Sequence, residues 1–464
     1  MIKISPKIIL ILVVIFFLIT RLYKISEIPV SVYWDEASIG YNAYSIIQTG
    51  KDEWGDFLPL HLRAFGEFKL PVYVYSVVIS EFVFGLNEFA VRIPAVLYSL
   101  GVVLVTYLLT KKIFDVKTAL WSSFFVTIIP WFFIFSRTGY EATAGLMFYL
   151  LGIYLFLLYK RSALFIFIAV ISFIISIYSY NSFRVIIPLT LIILGIYEAH
   201  NLLQNKNSWK VGVLSLIIFL VSWIPIYRLY VFDTGAIRAK AVAETKIENL
   251  FSNYFSHFSP NFLLIEGDKN LRSHIGYFGQ LSLPIFIFFV IGLFEILKVR
   301  SKYRFLILSF LLISPIAATL TKESPHSLRA ISAVPFISII GAFGVIYSER
   351  FFKKESFFNI GLITICLLFF LNYLFNFSTE YPNKSSQDWQ FAYKKIFARY
   401  KEDAPKTNKF IVSDEYGQPY IFALFYLKYD PEKFREEVVR SDVSDWGFST
   451  VEQFNGFFFS KIPK

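Results

Sequence analysis

Apolar runs long enough to cross a bilayer recur eleven times, at about 8–25, 92–111, 117–135, 141–159, 162–180, 184–199, 211–230, 281–298, 304–320, 330–348 and 356–376. A hydrocarbon core of about 30 Å takes about twenty apolar residues in a helix, and in lipid each backbone polar group must be paired within its own segment. Such runs predict a polytopic α-helical membrane protein with about eleven transmembrane helices. Composition agrees, because 56% of the residues are hydrophobic, against roughly 45–50% in soluble domains.

Charge orients the spans. With the N-terminus inside, the inner loops hold Lys111, Lys112 and Lys117, then Lys160 and Arg161, then Lys206 and Lys210. They also hold Lys298, Arg300, Lys302 and Arg304, then Arg350, Lys353 and Lys354. This is the cytoplasmic Lys/Arg excess expected of a cell-membrane protein. It accounts for the net charge of +11 without nucleic acid as a partner. Lys3 and Lys7 precede the run IILILVVIFFLIT with no small-residue cleavage site after it, which reads as an uncleaved anchor. The single cysteine, Cys366, excludes an intramolecular disulfide framework or a cysteine metal cluster.

The same count places three non-spanning segments outside. Residues 26–91 form a first outer loop with helical patterns at about 36–49 and 70–84, and residues 231–280 form a second. Residues 377–464 form a polar tail in which KFIVSDE reads as strand and PYIFALFYLKY as helix, a small extracytoplasmic α/β domain. The expected division is therefore a transmembrane domain over 1–376, outer loops included, and a C-terminal domain over 377–464. No internal repeat is evident, which counts against an inverted-repeat transporter.

The unusual polar residues sort to one side. Asp35, Glu36, Glu67, Lys69, Arg92, Arg137, Glu141, Asn181, Arg184, His257, Asp268, His274, His326 and Arg329 all map to the outer face or the outer ends of spans. A pump would keep ionisable groups near mid-depth, so the pattern points to one site at the outer surface, assembled from several loops. Each group also has an ordinary role. Asp35, in SVYWDEASIGYN, suits the N-cap of helix 36–49, which Gly50 ends. Adjacent helical residues diverge by about 100°, so Asp35 and Glu36 do not converge on one atom. Tyr33 and Trp34 suit an interfacial aromatic belt. Arg137 and Glu141 are spaced for a surface ion pair of roughly 0.3–0.5 kcal/mol. Lys69 is placed to snorkel or to bind an anion. His257, Asp268 and His274 match no tight metal motif and read as solvated loop residues, with a divalent cation left open. Lys322, His326 and Arg329 run against the inside bias, as an anionic ligand would explain.

These features, in order, carry a resemblance. An early anchor is followed by the acids of WDE, by KLP (Lys69 to Pro71), by GLNEFAVRIPA, and by Arg-x-x-x-acid after the third span. The stretches HFSPNFLLIEGDKNLRSHIGYFGQL and SPHSLRAISAVPF come later. The chain resembles the GT-C membrane glycosyltransferases of the protein O-mannosyltransferase and aminoarabinose-transferase type, glycosyltransferase families 39 and 83, over most of residues 8–376.

The resemblance implies transfer of a sugar from a polyprenyl-phosphate donor to a hydroxyl of a protein, lipid or glycan acceptor, outside the membrane and usually with inversion. It implies Asp35 as the general base with Glu36 as the alternate, and Glu141 as the second acid with Arg137 its helper. Lys69, His326 and Arg329 match the donor-phosphate positions, and Arg137 is expected to bind the donor phosphate with them. One departure is Phe68, which stands where aminoarabinose transferases have Glu directly before the lysine; Glu67 lies one step back, which puts a metal on that glutamate in doubt. Other functions compatible with the residues are a ligase using a polyprenyl-diphosphate glycan, a flippase of lipid-linked sugars, and a non-catalytic scaffold. No Gly-rich phosphate loop is present for a nucleotide donor.

Overall fold

The computed structural model describes residues 5–65, 67–233, 235–298, 302–403, 409–442, 444 and 449–461. Lys3 and Arg300 lie outside the described residues. Helix occupies each of the eleven predicted runs, among them Pro6–Leu22, Ala142–Phe156, Leu164–Ile177, Leu283–Lys298 and Ala333–Glu349. Among the described residues, four helices are long and apolar enough to cross a membrane alone: Glu88–Ile113, Phe183–Gln204, Lys206–Phe232 and Glu355–Thr379. A fifth is added if Val116–Ile128 and Pro130–Arg137, bent by 64°, count as one span. The shorter apolar helices have 10–17 residues. At about 1.5 Å per residue they fall short of about 30 Å unless their flanks or a tilt make up the difference. The chain is a multi-pass membrane protein.

Local chemistry sets the boundaries. Asn87 caps Glu88–Ile113 by accepting the Ala90 N–H at 2.9 Å, and Asp115 caps Val116–Ile128 through the N–H groups of Lys117 and Thr118. Pro130 ends that helix, since proline can donate no backbone hydrogen bond; the next N–H, of Trp131, turns out to the Gln280 carbonyl at 3.0 Å. Helices Leu283–Lys298 and Ala333–Glu349 meet backbone to backbone. A Cβ on Gly292 would stand 1.9 Å from the Ile340 carbonyl oxygen, and one on Gly344 2.1 Å from that of Phe288. Small residues allow such close approach where lipid supplies no hydrophobic drive between helices.

The segment 26–91, expected to be the first outer loop, holds helices Trp34–Thr49 and Pro71–Phe84, near the predicted limits. Gly50, at φ 71°, ends the first as expected. Between them lies a hairpin that the sequence did not announce, Leu62–Ala64 against Glu67–Lys69, with Leu62 opposite Lys69. The tail contains the expected strand and helix, Phe410–Ser413 and Pro419–Leu427. That strand is the edge of a four-stranded sheet, followed in order by Phe457–Ser460, Val451–Phe454 and Val439–Arg440; only the first pairing is parallel.

Helix Glu355–Thr379 runs past the expected boundary at 377. The tail shares one core with the first outer loop, where Tyr41, Tyr73, Tyr420, Phe422 and Phe434 are buried together. Polar contacts tie the two as well, among them Tyr420 donating to Glu53 at 2.9 Å, Trp34 N–H to Gln390 Oε1 at 3.1 Å, and Lys394 paired with Glu88 at 2.9 Å.

Candidate active site

The helix bearing the acid pair begins at Trp34, with Tyr33 as its N-cap. Asp35 is thus not the cap, as the sequence suggested. The Tyr33 N–H is taken by Glu36 Oε2 at 3.2 Å, so the helix starts before Asp35. Asp35 sits in the first turn, where the helix dipole favours a carboxylate. The roughly 100° between neighbours then sends the two acids to different places.

Asp35 stays partly exposed. Its Oδ1 lies 2.6 Å from Lys69 Nζ, which the hairpin delivers, and the same ammonium is 2.6 Å from Glu67 Oε1. Lys69 is buried, while Asp35 and Glu67 are each 27% exposed. Leu70 follows and donates its N–H to Glu141 Oε1 at 2.7 Å, so Glu141 anchors the backbone that carries the lysine. Glu67 Oε2 reaches Arg238 at 3.5 Å. Arg272 lays its guanidinium on the Tyr33 ring, 3.9 Å from the centroid, within electrostatic reach of Asp35. Tyr33 is therefore buried under a cation, not part of an interfacial belt.

The charges set each other. Burial pushes the Asp35 carboxyl above the ordinary aspartate range, against the pull of Lys69, with Glu67 adding to the rise. Burial also opposes the Glu67 carboxylate, but Lys69, Arg238 and Arg329 outweigh it and hold that group below the usual range. For Lys69, burial opposes the ammonium, and Asp35, Glu67 and Glu141 outweigh it and keep it charged. Two carboxylates sharing one ammonium thus divide, one readier to take a proton than the other.

The late loop supplies the far side. Arg329 donates to Thr321 Oγ1 at 2.7 Å and lies 3.8 Å from Glu323. Its field reaches Glu67. His326 donates its backbone N–H to His257 Nε2 at 3.1 Å, and burial with the Arg329 charge pushes its imidazole down to about 3. At neutral pH His326 is therefore uncharged. Asp268 Oδ2 accepts both the N–H and the hydroxyl of Ser327, at 2.8 and 2.6 Å. His257 and Asp268 are thus occupied with holding this loop.

Glu36 points the other way and is sealed. Arg92 grips both its oxygens, Nε to Oε1 at 3.0 Å and Nη2 to Oε2 at 3.1 Å, and the Gly139 N–H adds a bond at 2.6 Å. Arg92 also donates to the carbonyls of Ile25, Pro29 and Ser31. Arg137 belongs to this buried region. It donates to the carbonyls of Thr20, Tyr23 and Ile28, and the expected ion pair with Glu141 does not form. The physical reason is the break after the short turn Phe135–Arg137, which removes the i,i+4 geometry.

No three of the described His, Cys, Asp or Glu residues are grouped to hold a metal. Between Asp35 and Glu67, where a cation would sit, stands the Lys69 ammonium. The residues do not fit a metal there, and His257, Asp268 and His274 do not converge on one. The sequence missed Arg238 and Arg272. The available signal was a cation on an outer loop against the inside bias, the argument that did single out Arg329.

A family model described as dolichyl-phosphate-mannose-protein mannosyltransferase matches residues 69–224, less than half of the chain. No curated protein matches the chain by sequence. The structure is similar to ArnT from Cupriavidus metallidurans bound to undecaprenyl phosphate, with TM-score 0.61, 11% identity, and 91% of this chain and 84% of that one covered. It is also similar to the Archaeoglobus fulgidus oligosaccharyltransferase in complex with Zn and sulfate, with TM-score 0.58, 16% identity and 90% of this chain covered. The chain spans 61% of the length of that archaeal enzyme. A further match is archaeal AglB, from the same organism, in complex with an inhibitory peptide and a dolichol-phosphate, at TM-score 0.57 and 15% identity. The expected resemblance is borne out: the chain has the fold of the GT-C membrane glycosyltransferases.

Proposed function

We propose that this protein moves a sugar from a polyprenyl-phosphate donor to an acceptor hydroxyl at the outer face of the membrane, with inversion. The observation that carries this reading is the cluster in which Lys69 joins Asp35 to Glu67 while Arg238, Arg272 and Arg329 surround them. Asp35 takes the proton of the acceptor hydroxyl as its oxygen attacks the anomeric carbon. The bond from that carbon to the phosphate oxygen breaks, and the electron pair leaves on the phosphate. Lys69, Arg272 and Arg329 offset the charge that collects there, and the neutral His326 contributes polarity, not charge. Glu141 holds the lysine's backbone. Glu36 and Arg137 position the helix and its neighbours without meeting the substrates. The similar structures bound to undecaprenyl phosphate and in complex with a dolichol-phosphate support a lipid phosphate as the donor's leaving group.

In the same reading all eleven runs span the cell membrane, the shorter helices by tilt or with their flanks, and the tail over 377–464 lies on the extracytoplasmic side. Reporter fusions test the topology, and a cytoplasmic tail overturns it. The chemistry is tested in nanodiscs with a radiolabelled undecaprenyl-phosphate sugar and a panel of protein, lipid and glycan acceptors. Transfer that survives Asp35→Asn removes the base assignment. Movement of intact donor across liposomes without consumption identifies a flippase.

A further inference from the structure

The second outer loop carries a helix that the transfer chemistry does not use. In Ile247–Ser256, Ile247, Phe251 and Phe255 are 84%, 73% and 53% exposed. Residues four apart are displaced only about 40° around an α-helix, so the three make one apolar stripe. Exposed Glu248 and Ser252 border it on one side. The opposite face is committed to protein. Asn253 Nδ2 reaches the carbonyls of Thr319 and Thr321 at 3.5 and 3.4 Å, and the Asn253 carbonyl accepts the Ser324 hydroxyl at 3.1 Å. One turn on, His257 Nε2 accepts the His326 N–H at 3.1 Å.

We infer that this helix lies in the outer membrane interface with its stripe covered by lipid acyl chains, and that it holds the loop 319–326, and through Thr321 the Arg329 guanidinium, at headgroup depth. Three observations choose lipid as the occupant. The stripe is continuous with the apolar outside of the neighbouring helices: Tyr254 donates to the carbonyl of Leu312, which is 52% exposed, and Leu320 beyond it is 42% exposed. Lys246, at the N-cap of this helix, and Lys240, on the preceding helix Gly235–Val242, are exposed just before the stripe, where cations beside an interfacial amphipathic helix meet anionic headgroups. Three side chains also fall well short of the about 800 Å² per partner that a standard protein interface buries. The polar arc would then face water while the inner arc grips the loop, so one helix links bilayer depth to the position of a cation at the site.

The full-length protein tests this directly, because its one cysteine, Cys366, is buried and Cys366→Ser provides a background for single labels. Nitroxides placed by Phe251→Cys and by Ser252→Cys are compared in phosphatidylcholine–phosphatidylglycerol nanodiscs. The expected result is a label at 251 several-fold more accessible to oxygen than to a nickel chelate, with the preference reversed at 252. Free access of nickel at 251 overturns the proposal, as does shielding from both reagents, which means protein covers the stripe. Line broadening relieved by unlabelled protein also overturns it, since a second copy is then the occupant. The grip on the loop is read separately with a label at Glu323→Cys. Its spectrum should become mobile when Asn253→Ala is added, and an unchanged line shape removes the coupling. None of these readouts depends on transferase activity, so a failure here is distinct from failure of the proposed reaction.

Discussion

Asp35 and Glu36 are neighbours in one helical turn, yet they inhabit opposite regimes of electrostatics. Glu36 lies in a buried knot where Arg92 and backbone N–H groups saturate its oxygens. Asp35 lies in a half-open cluster, shares its ammonium with Glu67, and keeps an exposed edge. In the knot, every lone pair has a donor and the charges fix geometry. In the cluster, two partly exposed carboxylates share one ammonium, so a proton or an anion can enter. The same residue type, one position apart, is structural in one and chemically available in the other.

The largest expected difference is in rate. Asp35→Asn should lower kcat by about 10²–10⁴-fold, the usual worth of a general base, while thermal stability and donor binding stay near wild type. If the loss of turnover comes with unfolding, the cluster is as structural as the knot. Next is Arg92→Leu, which strands Glu36 in the interior. It should cost about 3–5 kcal/mol of stability, read by thermal unfolding in detergent. The double variant Glu36→Leu/Arg92→Leu should lose less than the two singles summed; full additivity would mean that the pair is not coupled.

Arg272→Ala comes third. Removing a donor to a charged group costs about 1.5–3 kcal/mol, so the KM for a polyprenyl-phosphate sugar should rise about ten- to a hundredfold with little change in kcat. An unchanged KM takes Arg272 out of the donor site. The smallest effect is on pH. Because Asp35 must be ionised to act and its carboxyl is raised, the acid limb of kcat/KM should lie above the ordinary aspartate range. Glu67 contributes to that rise, so Glu67→Gln should move the limb to lower pH. A limb that stays put or moves up would show that another group is titrating.

Much of this fold was legible because the bilayer imposes so few solutions. Each long apolar run became helix, and Gly50 ended the first outer helix because a left-handed position there favours glycine. The hairpin 62–69 was invisible, since three-residue strands carry no period to read. Arg137 misled by spacing: i and i+4 mean contact only if the helix continues, and here it stops after Arg137. Asp35 and Lys69 could be named from their motifs, but their meeting at 2.6 Å depends on a turn the pattern does not contain. Arg272 was hidden for a different reason. A loop cation looks solvated until tertiary structure lays it on Tyr33.

The tail's hold on the first outer loop bears on how the protein is made. Trp34, directly before the proposed base, gives its N–H to Gln390, a partner 356 residues later. Glu53, in the same loop, waits for Tyr420, 367 residues away. During synthesis the first loop emerges early and stands incomplete while nearly all the apolar segments are threaded and packed. Its core closes only when the tail arrives on the same side of the membrane. A ribosome stalled before residue 390, or a tail delivered to the wrong face, would leave a fully inserted bundle whose charged cluster has lost its frame, so insertion and assembly of the site are separable events in the life of this chain.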